Sequence, residues 1–310
     1  MKYNLLTSAK INLGLTVIGK LPDGYHEIES IIIPIGIFDK LECKFYLKEK
    51  TKNLKINLNP RVFSKNVEIP NDKENTIWKI VNFVEETLGI NIGFDINVQK
   101  NIPIGGGLGG SSSNAGGVLL SLIDFLEKNK IINRKSKKYI ISNAHLVGSD
   151  IPFFLSRGGC IVQGKGEKIT PINKLIKRFS KTLLVVVYPN LCSSTKKAYE
   201  FISNNKLYST ERWAFKIAKE LIQNELKMQD LKEMLKNIFE LFIISPVVEI
   251  KNELYSRGAM FASMSGSGSC VYGIFESRLD TQNIRNEINK LDKDYKIFVT
   301  RFVENPVIFI

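Results

Sequence analysis

The residues best placed to do chemistry gather around one stretch: Pro103, Ile104, Gly105, Gly106, Gly107, Leu108, Gly109, Gly110, Ser111, Ser112 and Ser113. The glycines at 105, 106, 107, 109 and 110 remove the Cβ atoms that would hold a bulky ligand away from the backbone, and they permit positive φ where the loop folds back. Before the loop, Phe94, Ile96 and Val98 alternate with Asp95, Asn97 and Gln99, the period of a half-buried strand. After it, Ala115, Val118, Leu119, Leu122 and Leu126 recur at helical spacing, and Ser111 to Ser113 are expected to supply the cap. A helix start carries unpaired N–H groups and roughly half a positive charge, so this order of elements predicts a cradle for nucleotide phosphate. A flexible turn would explain the glycines but not what flanks them. Gly110 is followed by Ser111 rather than lysine, which excludes a Walker A loop. Gly105, Gly107 and Gly110 satisfy G-x-G-x-x-G, but a dinucleotide fold needs an acidic residue ending a second strand, and Asp124 falls inside the following helix.

Other polar and aromatic residues stand ready to face such a loop. Alternation in residues 10–17 puts Lys10 and Asn12 on one strand face and Ile11, Leu13, Leu15 and Val17 on the other; taken alone, that polar face looks at water. The turn at Pro22, Asp23 and Gly24 delivers Tyr25 and His26, rings that could stack on a base or pack against a neighbouring strand. Asp150 follows Gly148 and precedes Pro152, where an aspartate commonly caps a helix, and at a domain junction the same carboxylate can face a cleft. Ser193, Ser194 and Thr195 introduce a helix containing Tyr199. Residues 263–269 form a second small-residue loop whose N–H groups could close over the same ligand.

Positioning these groups calls for two lobes, and 310 residues suffice for two domains in sequence. The turn at Gly158 and Gly159 marks the expected boundary, dividing residues 1–157, which hold the phosphate loop, from 158–310. An amphipathic helix carrying Ile77, Ile80, Val81 and Val84 is predicted up to Gly89, and another over residues 138–147. The net charge of +13 could indicate a nucleic-acid surface, but the lysines are interleaved with periodic apolar positions, as on solvated faces, so no nucleic-acid partner is expected. Four scattered cysteines without C-x-x-C and only two histidines leave no zinc site, and any metal must arrive with its substrate. The cysteines suit a reducing compartment, and no stretch of eighteen uncharged apolar residues predicts a membrane span. With no signal-peptide pattern at the start, the expected address is the cytoplasm, or a plastid stroma if a transit segment is missing.

Taken together, residues 9–13, 23–26, 103–115, 148–153 and 264–268 resemble the galactokinase, homoserine kinase, mevalonate kinase and phosphomevalonate kinase superfamily nearly end to end. Departures are small: Ser8 stands where the family usually has proline, and Ser111 where a further glycine is common. The resemblance implies an α+β fold of two domains, the first similar to a ribosomal-protein domain, with the active site in the cleft between them. It implies an ATP-dependent kinase with Lys10 as catalytic lysine, Asp150 as catalytic base and Mg2+ bridging the phosphates within reach of Ser111 or Ser112 but with no assignable carboxylate ligand. The segment Asp23, Gly24, Tyr25, His26 narrows the likeness to the branch acting on a cytidine-diphosphate methylerythritol, whose 2-hydroxyl receives the γ-phosphoryl group in non-mevalonate isoprenoid synthesis. By the same likeness Asn12 would orient the acceptor, Tyr25, His26 and Tyr199 would hold the cytosine, and Asn75 would line the adenine pocket. A sister kinase for homoserine or a mevalonate derivative would share the loop without needing Tyr25 and His26, and an RNA-binding module is the reading that the charge alone favours.

Overall fold

The computed structural model describes residues 1–49, 51–63, 68–172, 174–243, 245–277 and 280–310. β1 (Lys2–Lys20) and β2 (His26–Leu47) form a long antiparallel hairpin, followed by β3 (Lys52–Leu58). In α1 (Thr76–Leu88), the spacing of Ile77, Ile80, Val81 and Val84 buries one face; Asn75 caps the start by accepting from the Ile77 amide, and left-handed Gly89 closes the end. β4 (Ile92–Lys100) then leads through the glycine loop into α2 (Gly110–Lys128). α3 (Arg134–Asn143) starts four residues before the expected 138 because Asn133 caps the amides of Lys135 and Ser136. A short 3-10 turn (Ala144–Leu146) separates it from α4 (Ile151–Phe154).

The remaining elements are β5 (Gly159–Gly164), β6 (Lys168–Ile172), α5 (Leu175–Arg178), β7 (Thr182–Tyr188), α6 (Thr195–Asn204), α7 (Ala214–Gln223) and α8 (Leu231–Met234). After them come α9 (Val247–Ser256), β8 (Phe261–Met264), β9 (Val271–Glu276), α10 (Thr281–Leu291), β10 (Lys296–Thr300) and β11 (Val307–Phe309). Among the described residues two sheets result, one ordered β11-β1-β2-β4-β3 with β5 and β6 attached through β2, the other an antiparallel β10-β7-β9-β8. This is the mixed helix and sheet architecture expected of an α+β chain. The turn at Gly158 and Gly159 does not end the first sheet, however. β5 pairs with the front half of β2 and β11 returns to β1, so a cut at 157/158 passes through one hydrogen-bonded layer.

Among the described residues three apolar clusters form the interior. One packs α1 and α2 on the first sheet, burying Phe45, Phe94, Ile96, Val118 and Leu122. A second joins the sheets directly, setting Ile11, Leu13, Ile31 and Ile33 against Leu184, Val186, Tyr272 and Ile274. The third lies across the other side of β7 and β9, against α6, α9 and α10, and includes Leu15 and Val17. The expectation that Ile11, Leu13, Leu15 and Val17 share one face is therefore corrected at Gly14. There φ is +83° and the register with β2 shifts between Asn12 and Leu15, so a bulge turns the strand over. Below the bulge Ile11 and Leu13 seal the two sheets together, while Lys10, Asn12 and Leu15 line a common cavity.

Candidate active site

That cavity, of about 420 Å³, lies between the glycine loop, the β1 strand, the turn before α4, the start of α6 and the second small-residue loop. Lys10 and Asn12 are 4% and 1% exposed, so the face expected to look at water is instead enclosed. Asn12 holds a chain of hydrogen bonds: its Oδ1 accepts from Lys10 Nζ at 2.6 Å, its Nδ2 donates to Ser30 Oγ at 2.9 Å, and Ser30 donates to the Gly14 carbonyl at 2.6 Å. From below, the Tyr272 hydroxyl donates to the Asn12 carbonyl at 2.7 Å. Lys10 Nζ faces Asp150 Oδ2 at 3.7 Å. Burial lowers the Lys10 pKa, and the Asp150 carboxylate opposes that fall. A buried lysine lying on a partly exposed carboxylate is a device for holding a cation beside a proton acceptor.

Asp150 occupies the residue before α4, but its carboxylate makes no cap bond to a described residue, and its backbone is already helical. The capping expectation is thus corrected: the side chain is committed to Lys10 and to the cleft. Ser111 to Ser113 are corrected likewise. The N-cap of α2 is Gly109 at φ +71°, and among the described residues no side chain caps that end. Ser113 donates back to the Ser8 carbonyl at 2.6 Å and Ser111 exchanges a bond with Thr76 at 2.6 Å. The first-turn amides at Gly110, Ser111 and Ser112 are left at the cavity wall, where a helix start favours an anion.

The loop is fixed from both sides. Asp39, fully buried, accepts from the Asn101 and Ile102 amides at 2.6 and 2.9 Å and pairs with Lys100, pinning the strand exit. Leu108 accepts from the Lys10 amide at 3.0 Å. The second loop docks on the first, with Ser265 Oγ donating to the Gly107 carbonyl at 2.9 Å and the Cys270 amide donating to the Gly106 carbonyl at 3.0 Å. Gly107 sits at φ +75°, and a Cβ there would stand 2.0 Å from the Ser265 carbonyl oxygen. Its missing side chain makes room for backbone of the second loop, a different reason for glycine than space for the ligand.

Of the remaining expected site residues, Asn75 lines the cavity, but both ends of its amide are engaged, one in capping α1 and the other on the Pro70 carbonyl at 2.6 Å. Tyr199 also lines the cavity, and burial followed by the charge of Asp150 raises its phenol pKa. His26 stacks on Tyr199 with centroids 4.7 Å apart and planes 21° from parallel, and its Nε2 meets Ser203 Oγ at 2.6 Å. Burial, with Lys20 nearby, lowers the His26 pKa. Tyr25 is 64% exposed and stands at the rim, over Lys165 Nζ at 4.9 Å from the ring centre. Lys165, which pairs with Asp23 and lines the cavity, has no signature in the sequence, where it is an isolated lysine in a turn. Phe239 and Ser193, Thr195 and Ser267 also complete the wall.

A buried lysine and a carboxylate under a glycine loop at a helix start, in a cleft between two α+β layers, define a small-molecule kinase of the two-lobed kind. Family models agree: residues 75–158 match the GHMP kinases N terminal domain and residues 218–294 the GHMP kinases C terminal. A 4-diphosphocytidyl-2-C-methyl-D-erythritol kinase of Clostridium botulinum (strain Hall) is 32% identical over 297 residues, spanning 95% of this chain and 98% of the relative. One from Fervidobacterium nodosum is 38% identical over 276 residues, spanning 88% and 90% respectively. Among solved structures, a 4-(cytidine 5'-diphospho)-2C-methyl-D-erythritol kinase superposes with TM-score 0.68 at 25% identity over 97% of this chain and 99% of that one. A homoserine kinase from Cytophaga hutchinsonii shares the fold, with TM-score 0.69 at 15% identity, over 100% and 97%. The chain belongs to the 4-diphosphocytidyl-2-C-methyl-D-erythritol kinase family of GHMP kinases. It is accordingly an ATP-dependent enzyme, and among the described residues no helix is long and apolar enough to cross a membrane.

Proposed function

We propose that this chain transfers the γ-phosphoryl group of ATP to the 2-hydroxyl of 4-diphosphocytidyl-2-C-methyl-D-erythritol. The observation carrying the reading is the Lys10–Asp150 pair, 3.7 Å apart beneath the glycine loop. Asp150 accepts the proton of the acceptor hydroxyl, and the hydroxyl oxygen attacks phosphorus as the bond to the departing ADP breaks. Lys10 presents its cation to the transferring group, while the α2 amides hold the phosphates that remain on the nucleotide. Asn12, which fixes Lys10 Nζ, orients the acceptor.

The aromatic side of the cleft supports a pyrimidine-bearing acceptor. His26 and Tyr199 already lie face to face, and Tyr25 waits at the rim as a further flat surface. On this reading Tyr25, His26 and Tyr199 bind the base, whereas residues 103–113 and the segment begun by Asn75 bind ATP. A metal carried in on the nucleotide would meet the Ser111 and Ser112 hydroxyls, since Asp150, the one carboxylate lining the cavity among the described residues, is committed to the acceptor proton. Mg2+ bound with ATP would neutralise phosphate charge at these groups. Residues 1–157 and 158–310 are proposed as the two domains, with β5, β6 and β11 completing the first sheet from the second.

A coupled ATP-consumption assay with the cytidyl acceptor beside its uridyl analogue, homoserine and mevalonate tests this assignment. Turnover confined to the cytidyl compound is the expected result. Preferred turnover of homoserine or mevalonate would overturn it.

A further inference from the structure

Asn237 is 3% exposed and lies outside the residues that the proposed chemistry uses. We infer that it is a positioning residue coupling the phosphate side of the cleft to the acceptor side, an inference that rests on the kinase reading above. Its Nδ2 donates to the carbonyls of Met264 and Gly266, each at 2.8 Å, and its Oδ1 accepts from the Phe239 amide at 3.0 Å. The backbone is anchored as well, since Leu15 bridges to Asn237 and donates to the Lys236 carbonyl at 2.9 Å. The buried side-chain amide therefore joins the second glycine loop to the segment of Phe239, while the main chain beside it is tied to the strand of Lys10.

The two arms lead to different ligands. On the donor arm, Gly266 is close packed on the phosphate loop and on Lys10: a Cβ placed on it would stand 3.1 Å from the Gly107 carbonyl oxygen and 3.2 Å from Lys10 Nζ. Holding the Gly266 carbonyl thus holds the loop that abuts the lysine. On the acceptor arm, the Phe239 ring meets Tyr199 edge-on at 4.9 Å and 83°, and Tyr199 in turn stacks on His26. A shift of Phe239 is felt by that aromatic column. Because both arms end on the same planar amide, ordering one side favours the ordered position of the other.

Asparagine is the residue this geometry requires. Aspartate keeps the acceptor for Phe239 but sets a second oxygen against two carbonyls, and alanine severs both arms. In Asn237→Asp, turnover should fall about tenfold and the ATP KM rise about fivefold, with the acceptor KM changed less than about twofold. In Asn237→Ala the acceptor KM should rise about fivefold too. Equal shifts of both KM values in the two variants, or an unchanged kcat in both, would mean that Asn237 is only a core amide. A measurement on the unaltered chain covers the case in which a variant fails to fold. A non-hydrolysable ATP analogue alone should slow hydrogen exchange at the Phe239 amide by about threefold or more, through the loop and Asn237; unchanged exchange overturns the coupling. That second readout involves no acceptor, so it stands apart from failure of the substrate assignment, which would show as absent turnover of the cytidyl compound by the unaltered chain.

Discussion

Neutralising Asp150 without changing its shape separates its charge from its packing. Read from sequence, Asp150→Asn should leave stability almost untouched, because asparagine caps a helix about as well as aspartate. The structure changes that expectation: the carboxylate makes no cap bond to a described residue, and its partner is a lysine whose side chain is 5% exposed against 31% for Asp150. At their separation of 3.7 Å, an effective dielectric of about 20 gives an attraction of roughly 4 kcal/mol. Water at the open side of Asp150 screens part of this, and Lys10 keeps its bond to Asn12, so the net loss should be about 1–2 kcal/mol. For a chain of this size that is a fall in Tm of about 1.5–3 °C.

Turnover should suffer far more. Asparagine cannot take a proton, and removal of a general base costs roughly 10²–10⁴ in kcat, about 3–5 kcal/mol. Calorimetric ATP affinity and the acceptor KM should stay within a fewfold of the original. A second signature follows from the lysine. Burial lowers the Lys10 pKa and Asp150 opposes that fall, so without the carboxylate Lys10 must release its proton at lower pH. Activity that needs the cation is lost as pH rises through that pKa, so the residual activity of Asp150→Asn should decline at lower pH than the parent's. Near-parental kcat, in a variant with the expected melting temperature, would refute Asp150 as the base. Lys10→Met should also slow turnover, and the two losses should combine less than additively because the residues face one another.

Gly107→Ala must push the second loop aside, since its Cβ would stand 2.0 Å from the Ser265 carbonyl oxygen at φ +75°; both ATP affinity and stability should fall, the latter by about 2–4 kcal/mol, and an unchanged melting curve would refute the docking of the loops. Tyr25→Ala removes a residue that is 64% exposed, so Tm should hold while the acceptor KM rises by the worth of a base stack, about 1–3 kcal/mol; a raised ATP KM with an unchanged acceptor KM would exchange the two pockets. His26 has a lowered pKa from burial and Lys20, so below the unfolded value of about 6.5 the unfolded chain takes up a proton that the folded chain resists. Stability due to the neutral ring is therefore full above that pH and lost as pH falls, and Tm should drop more steeply from pH 6.5 to 5 in the parent than in His26→Phe; parallel slopes would contradict the burial argument.

Local patterns made much of the frame readable. The spacing of Ile77, Ile80, Val81 and Val84 locates α1, and the alternation of Phe94, Ile96 and Val98 locates β4, because each segment has one buried face whose period its neighbours impose. The sequence motifs also assembled the members of the cleft, since Lys10, Asn12, the glycine loop, Asp150 and Tyr199 line one cavity. Long-range pairing was less accessible. A glycine pair looks the same at a domain boundary and before a strand that returns to an earlier sheet, so β5 could not be assigned to β2 from Gly158 and Gly159. The same limitation hid the enclosure of Lys10 and Asn12. Alternation shows that a strand has two unlike faces, but whether the polar face meets solvent or a cleft depends on what the rest of the chain places over it.

The two glycine loops show where such reading changes its physical meaning. Each alone suggests backbone exposed to a ligand, yet the room at Gly107 is taken by Ser265, and Ser265 and Cys270 donate to the first loop. The first loop is consequently stiffened by its partner rather than left free to move, and the α2 amides that follow it are held at the cavity wall. Pre-organised dipoles stabilise developing charge without having to reorient during the reaction. That argument also explains why the residues supporting the loops extend so far from them: Asp39 pins the entry of the first, and Asn237 pins the second. Both are buried polar side chains that bind main-chain groups, Asp39 alongside its pairing with Lys100, so their work is to fix backbone geometry, and neither has a local motif that separates it from an ordinary surface aspartate or asparagine.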